Sequence, residues 1–307
     1  MVYGNIMSLL YGDDFATQTA FPEGSTYAFG YLFNGDRHLV SVENLVLPAT
    51  TLAPWCYYRM FNECTSLTSA HELPAMNLAK RCYYCMFSRC SALTAAPAMP
   101  ATELAVGCYS YMYQLCTSLT EPAELPAMQM SDSCYMGLYW NCTALERSPV
   151  LPAQILAPQC YEWMFENCTS LSEVTCLATD LSAENCVFEW LLVVSPTGVF
   201  YKAPEMEDWP LNSVSGVPEG WTVGDYDGVG DRQTQVEVYP NPVVDRLHIK
   251  GQDIKSVRVF DLNGRLVRSE ACGRANEAEV DFQGCAKGLY TVSVQSEGGT
   301  VTRKVVY

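Results

Sequence analysis

Length, composition and charge already exclude several classes of protein. The chain has 307 residues, enough for about two domains, and its 49% hydrophobic and 12% aromatic content excludes global disorder. The formal net charge of -16 and the pI near 4.5 argue against nucleic acid or an anionic membrane surface as partners, because both attract clusters of Lys and Arg. The sequence also lacks an apolar run of the ~18 residues that a transmembrane segment needs.

Residues 1–46 are predicted to form an N-terminal cap. The first residues lack a basic region and a cleavage site, so they are not expected to act as a signal peptide. Residues 21–46 resemble a degenerate repeat, because Leu39 falls where later repeats have leucine and Asp36 stands in place of a cysteine. An atypical unit is expected at the end of a repeat array, where the core must close with one face in water.

A 26-residue repeat runs through residues 47–202. Its units begin at Leu47, Leu73, Met99, Leu125 and Leu151, with a degraded sixth at Leu177. Apolar residues at relative positions 0, 1, 4, 5, 8 and 9 predict an α-helix of about ten residues in each unit. The segment that follows, 93–98 in the second unit, predicts a short parallel strand. Stacked units therefore predict an α/β solenoid, with a parallel sheet on one side and helices on the other.

Eleven of the 15 cysteines recur at the repeat period in two series, eight residues apart within a unit. They are Cys56, Cys64, Cys82, Cys90, Cys108, Cys116, Cys134, Cys142, Cys160, Cys168 and Cys186. Zinc sites need more closely spaced ligands, and a disulfide within a unit would span ~12 Å of helix, beyond the ~7 Å limit. Disulfides between neighbouring units are not excluded by distance. We interpret the series as buried thiols that act as small apolar spacers. Cys272 and Cys285 lie outside it and could form a pair.

Two further residue series accompany the cysteines. A tyrosine follows each of the first five cysteines of one series, and its spacing predicts a core position rather than a carbohydrate platform. The position two residues after the invariant leucine differs between units, as a recognition face or a merely solvated face would. The candidate binding face consists of Ser69, Glu121, Arg147 and Glu173.

Sequence motifs of catalysis are missing. We find no Gly-rich phosphate loop, nucleophile elbow or zinc-protease motif, and only three histidines. We therefore predict that the protein is not an enzyme and has neither a cofactor nor a metal site. Half of a calcium-loop pattern occurs at residues 225–231, where a solvated linker is favoured.

The C-terminal third changes pattern. Residues 203–223 are predicted to cap the array with Trp209 and Trp221, and residues 224–235 to form an acidic, Gly-rich linker. A small antiparallel β-sandwich is predicted for residues 236–307. Its candidate strands are 236–238, 246–250, 256–261, 265–270, 277–282, 289–295 and 301–307.

The repeat resembles a known family. Its pattern LPA…LA…CY…MF…CTSLT, over about residues 21–202, is similar to the BspA-like leucine-rich repeats of bacterial surface proteins. This resemblance implies a leucine-rich-repeat solenoid and a role as an adhesin or protein-binding scaffold. Members of the family bind host proteins such as fibronectin or fibrinogen, or act in co-aggregation, so host or bacterial surface proteins are the expected partners. A glycan-binding module or a secreted enzyme are the alternatives.

Residues 236–307 resemble the type A sorting domain of the type IX secretion system. The matching residues are Tyr239, Pro240, Asn241, Pro242, Asp261, Gly264, Gly288, Tyr290 and Lys304. This resemblance implies recognition by the type IX machinery, removal of the domain by a surface peptidase, and a location at the outer cell surface or outside the cell. Such export also needs a signal peptide, so we expect the chain to be the C-terminal part of a longer protein or to have a misplaced start.

Overall fold

The computed structural model describes residues 2–212, 214–226, 236–261, 265–296 and 299–307. The chain divides into two compact units, Met1–Tyr226 and Asp227–Tyr307. No helix in the described part of the chain is long and apolar enough to cross a membrane.

The first unit is a solenoid of stacked 26-residue coils around one continuous core. The predicted parallel sheet is present on one side. Its four strands, in spatial order, are β3 Arg147–Leu151, β4 Glu173–Cys176, β5 Gly198–Lys202 and β6 Trp221–Asp225. In earlier coils the sheet side has only isolated bridges, such as Ser41 with Ser69. Pro97 and Pro122, which lack an N–H group, limit the pairing on this side in two of those coils.

The predicted degenerate unit adopts the coil conformation. The Phe29 N–H donates to the Cys56 carbonyl at 2.8 Å, and the Phe33 N–H donates to the Met60 carbonyl at 2.9 Å, as between later coils. Leu39 is buried in the core, as its repeat position predicts. Among the described residues, four elements precede the unit that begins at Leu47. They are β1 Gly4–Asn5, the helix α1 Ser8–Tyr11, a 3-10 helix Gly12–Thr17 and β2 Leu45–Val46, with β1 and β2 paired in parallel.

The predicted α-helices are wrong: the segment of each coil opposite the sheet is a run of consecutive β-turns. Alternate N–H groups close a turn, as Cys82 does with the Ala79 carbonyl at 3.2 Å. The N–H groups between them reach the next coil, as Tyr83 does with the Cys108 carbonyl at 3.0 Å. The backbone is left-handed at every fourth residue, with φ of 54° at Cys85. We call this side of the solenoid the turn face.

Stacking explains why turns replace helices. Packed helices lie 8–10 Å apart, whereas strands of a sheet lie ~4.8 Å apart. Stacked turns let both sides of the solenoid advance at nearly the same spacing: the rings of Phe61 and Phe87 on the turn face are 5.4 Å apart. The apolar residues recur every four residues, which is the length of two consecutive β-turns, rather than every 3.6 residues as in an α-helix.

The two cysteine series have different roles. All 15 thiols are unbridged, including Cys272 and Cys285. In the second series the thiol donates to a backbone carbonyl of the preceding coil; Cys116 reaches the Phe87 carbonyl at 3.1 Å. That carbonyl also accepts the Cys90 N–H, so both of its acceptor sites are used. Burial raises the pKa of Cys116 to about 12, which keeps the thiol neutral.

The predicted cap residues cover the last coil. Trp209 stacks on Trp190 with ring centroids 5.4 Å apart, and Trp221 donates its indole N–H to the Ser195 carbonyl at 2.8 Å. The predicted linker 224–235 falls mostly outside the described residues, as does the calcium-loop pattern, and its first two residues belong to β6.

The second unit is an antiparallel sheet with its own apolar core. Its strands are β7 Glu237–Tyr239, β8 Arg246–Phe260, β9 Leu266–Asp281, β10 Leu289–Ser296 and β11 Gly299–Val306. The order is β11-β10-β8-β7, and β9 also pairs with β8. The prediction of seven strands is wrong. Irregularities inside β8 and β9, such as the positive φ at Gly273 and Arg274, bend continuous strands where breaks were predicted.

Candidate functional site

The four residues of the predicted binding face lie on the sheet side of the solenoid. The hydroxyl groups of Ser69 and Ser41 are 3.1 Å apart in neighbouring coils. Glu121 is bridged to the equivalent position of the preceding coil, and Arg147 aligns with Glu173 between β3 and β4. Ligand binding at these residues stays a prediction.

The tyrosines after the first cysteine series are core residues, as predicted. They are only 0–1% exposed, and successive rings stack 5.5–6.3 Å apart. The members of this series are Tyr57, Tyr83, Tyr109, Tyr135 and Tyr161. A buried stack of this kind is not a platform for an external ligand.

A second aromatic series lies on the outside of the turn face, and the sequence analysis missed it. We define the aromatic strip as Tyr27, Tyr31, Trp55, Tyr58, Tyr84, Tyr111, Trp140 and Trp163. These rings are exposed or half-buried, and each lies 5.2–6.4 Å from a neighbour in one continuous series across six coils. The four-residue period of the apolar pattern could have revealed this outer series, because two of every four residues then point outward.

The strip presents ring edges and guanidinium groups to solvent. Tyr58 and Tyr84 stack with centroids 5.3 Å apart and ring planes at 18°. Trp55 stacks on Tyr27 of the preceding coil at 5.3 Å, and the Arg81 guanidinium of the following coil lies 4.9 Å from the Trp55 ring centre. Neighbouring side chains therefore cover faces of the Trp55, Tyr58 and Tyr84 rings on which a sugar would stack.

Charge along the strip is polarised. Arg81 and Arg59 lie near its N-terminal rings; the Arg59 guanidinium is 5.5 Å from the centre of the Tyr58 ring. The C-terminal end has three glutamates, Glu162, Glu166 and Glu189. The Trp163 indole N–H donates to Glu189 at 3.0 Å. An otherwise acidic solenoid thus carries a basic aromatic patch at one end of the strip and an acidic one at the other.

Gly137 shapes the middle of the strip, and Glu162 is a buried carboxyl group at its C-terminal end. A Cβ at Gly137 would overlap the Tyr111 ring, so only glycine lets that ring lie flat across the next coil. Glu162 is 4% exposed, and its Oε2 finds no donor among the described residues. Burial raises the pKa of Glu162, opposed by a hydrogen bond from Gln159 and reinforced by the Glu189 carboxylate.

We expect Glu162→Gln to stabilise the solenoid at pH 8, with a rise in Tm of about 2–4 °C, the shift that ~1 kcal/mol produces in a domain of this size. A carboxyl group whose pKa is raised by folding disfavours the folded state above that pKa, so the advantage should shrink as the pH falls through it. It should vanish below the unfolded value of ~4.3. Thermal melts at several pH values test this. Glu121→Gln, at an exposed glutamate on the sheet side, is the control, and an equal gain there would contradict the argument.

In the second unit, Asn241 of the sorting motif secures the last strand. Its side chain accepts the Val306 N–H at 3.0 Å and donates to the Lys304 carbonyl at 3.2 Å. The turn formed by Tyr239, Pro240, Asn241 and Pro242 is thereby fixed to β11. Asn241 therefore has an architectural role.

Three other motif residues line a groove of about 550 Å³ in the second unit: Asp261, Gly288 and Tyr290. The Tyr290 hydroxyl donates to the Ala286 carbonyl at 2.6 Å, and Asp261 accepts hydrogen bonds from Arg265. Gly264 lies outside the described residues. In the described part of the chain, no group of three or more His, Cys, Asp or Glu side chains is arranged to hold a metal ion.

Residues 237–307 match the model of a protein family described as the Secretion system C-terminal sorting domain. The match confirms that a type IX sorting domain forms the C-terminal part of the chain, after a solenoid of 26-residue repeats. Comparison with curated proteins found no match. The sorting domain marks a secreted or cell-surface protein and implies an interaction with the type IX secretion machinery.

Proposed function

We propose that the protein is displayed at the bacterial cell surface, where its solenoid binds a protein partner through the aromatic strip. The observation that supports this is the continuous outer series of tyrosines and tryptophans bordered by Arg59 and Arg81. Trp, Tyr and Arg are the side chains most enriched at energetically dominant positions of protein interfaces. The strip thus replaces the sheet side as the leading candidate for the recognition face.

Rigidity also favours a role in recognition. Each ring is held by its neighbours in the adjacent coils, so a partner that contacts the strip would immobilise few side chains further. Interfaces that are organised before binding lose less conformational entropy on association. Exposed aromatic area of this kind is otherwise unfavourable in water, which supports a functional reason for it.

Protein binding fits the strip better than glycan binding or catalysis. Neighbouring side chains stack on the Trp55, Tyr58 and Tyr84 rings of the strip, and the two tryptophans of the C-terminal cap, Trp209 and Trp221, are only 5% and 6% exposed. The stacked rings of the strip and the buried tryptophans of the cap therefore fit a sugar less well than a protein partner. Because no residue of the sequence suggests a catalytic role, we propose a binding function without catalysis.

A finer identity follows from the repeat resemblance. We propose that the solenoid belongs with the BspA-like leucine-rich-repeat proteins and that the protein acts as an adhesin. Fibronectin, fibrinogen or a bacterial surface protein would then be the partner. The sorting domain supports the surface location that such a role requires.

Binding of the purified full chain to immobilised fibronectin and fibrinogen, with a glycan array in parallel, tests the proposal. We expect saturable protein binding that Tyr58→Ala/Tyr84→Ala weakens at least tenfold, because both rings lie in the middle of the basic half of the strip. The matched control is Glu121→Ala/Arg147→Ala on the sheet side, which should bind normally. Loss of binding in the control alone, or saturable binding to glycans without protein binding, would contradict the proposal.

A further inference from the structure

The two ends of the aromatic strip carry opposite charges that remain uncompensated within the described chain. Neither Arg59 nor Arg81 forms an ion pair there, whereas the nearby Arg89 pairs with Glu63 at 3.9 Å. The three glutamates of the acidic end likewise have no basic partner among the described residues. Between residues 90 and 201 the sequence has a single basic residue, Arg147, and it lies on the sheet side.

The charges are placed symmetrically along the solenoid. Numbering the coils from the unit that begins at Leu47, Arg59 lies in the first coil, Arg81 in the second and Glu189 in the sixth. The other two glutamates of the acidic end lie in the fifth coil. The midpoint of this arrangement falls between the third and fourth coils.

A twofold axis at that midpoint would bring complementary groups together. In an antiparallel pair of strips, the first coil of one copy faces the sixth coil of the other, and the second coil faces the fifth. Arg59 then opposes Glu189, while Arg81 opposes Glu166, and both glutamates are partly exposed. A twofold interface is self-complementary, so each of these contacts occurs twice.

We propose that the aromatic strip pairs with the same strip of a second copy of this chain in this antiparallel arrangement. The arginines of one copy supply counter-charges to carboxylates that repel one another in the other copy. Aromatic edges fill the centre of the contact, where Tyr111 of one copy faces Trp140 of the other. A parallel arrangement would place like charges together and is disfavoured.

This inference rests on the proposed function, because it names a partner for the same strip. The paired region, from Arg59 in the first coil to Glu189 in the sixth, is roughly 24 Å long at the ~4.8 Å spacing of stacked strands. A strip of that length would have to be about 33 Å wide to reach the ~800 Å² per partner of a standard interface, and it is only one or two side chains wide, so the pairing is weak and reversible. Many copies held at a cell surface would strengthen it through avidity.

Sedimentation velocity of the full chain over a range of concentrations tests the pairing. We expect concentration-dependent dimers at low ionic strength. The dissociation constant should be at least tenfold higher in 1 M salt, because the Debye length at that ionic strength is only ~3 Å. This measurement requires no variant. A chain that stays monomeric at all concentrations in low salt would overturn the proposal.

Charge exchange tests whether the arginines and glutamates of the strip hold the two copies together. Arg59→Glu/Arg81→Glu makes both ends acidic, and Glu166→Arg/Glu189→Arg makes both ends basic. Each variant alone should be at least tenfold weaker in self-association, and an equimolar mixture should associate again as a heterodimer. Arg147→Glu and Glu121→Arg change charge on the sheet side and should leave dimers intact.

The outcomes separate this inference from the proposed function. Failure of the mixture to associate, although circular dichroism shows that both variants are folded, would overturn the antiparallel pairing. If the native chain stays monomeric but binds fibronectin through the strip, only the pairing fails. If it dimerises through the strip but binds neither fibronectin nor fibrinogen, those partners are excluded and the pairing stands.

Discussion

Gly137→Ala is expected to lower the free energy of unfolding of the solenoid by about 3 kcal/mol. The left-handed backbone, with φ of 58°, costs any other residue about 1 kcal/mol, and the new Cβ would overlap the Tyr111 ring. The ring is held by its contacts in the strip, including Trp140 at 6.1 Å, so it cannot move without breaking them. Urea unfolding measures the loss, and the same variant should weaken any interaction of the strip.

Gly107→Ala is the matched control for this prediction. Gly107 occupies the first left-handed position of the preceding coil, with φ of 60°. The nearest atoms to its new Cβ would be the Arg81 Cγ at 3.0 Å and the Ser110 Oγ at 3.2 Å, both farther away than the Tyr111 ring carbons at 2.4 Å and 2.5 Å from a Cβ at Gly137. We expect a cost of about 1 kcal/mol. Equal costs at the two glycines would contradict the role assigned to the Tyr111 contact.

Serine replacement should distinguish the two cysteine series within one coil. Cys168 donates its thiol to the Tyr139 carbonyl at 3.1 Å, and a hydroxyl can keep this hydrogen bond after a small shift. Cys160 lies 3.9 Å from the Cys186 carbonyl, too far for a hydroxyl on a shorter bond. We expect Cys160→Ser to cost about 2–3 kcal/mol, because it buries an unpaired hydroxyl, and Cys168→Ser to cost about 1 kcal/mol or less.

Alanine variants at the same two positions sharpen this test. At Cys160, alanine should be better tolerated than serine, because it removes the sulfur without adding an unpaired polar group. At Cys168, serine should be better tolerated than alanine, because alanine leaves the Tyr139 carbonyl with one hydrogen bond fewer. Chemical unfolding of the four variants gives the order. The same order at both positions would contradict the division of the cysteines into spacers and donors.

The mistaken helices arose from a pattern that both structures satisfy locally. Residues at offsets 0, 1, 4, 5, 8 and 9 occupy one face of a short helix, and they also occupy the inner positions of a four-residue turn repeat. Over ten residues the two periods differ by less than one residue. The left-handed positions that would reveal the turns are occupied by residues such as Arg81 and Cys85, whereas glycine is the residue expected at such positions.

The candidate site was missed for the same reason. Tyr84 follows the buried Tyr83 directly, so a helical interpretation gives no reason to expect an aromatic series on the outside. Apart from the pair Trp55–Tyr58 within one coil, the ring contacts of the strip join residues 23–31 positions apart, as Tyr58 and Tyr84 illustrate. Such contacts exist only once coils are stacked. The residues predicted as a recognition face were chosen by variation alone, and the structure places them away from the strip.

The sequence by itself determined the repeat period, the buried cysteines and tyrosines, the parallel sheet and the sorting domain, because each depends on a pattern that recurs or matches within the chain. Only the tertiary structure decided the conformation between the strands and the face that carries the aromatic strip. The physical reason is that half of the turn-face N–H groups bond to the neighbouring coil, as Tyr83 does with Cys108. Those lateral hydrogen bonds hold the turns in place, and they form only when the coils stack.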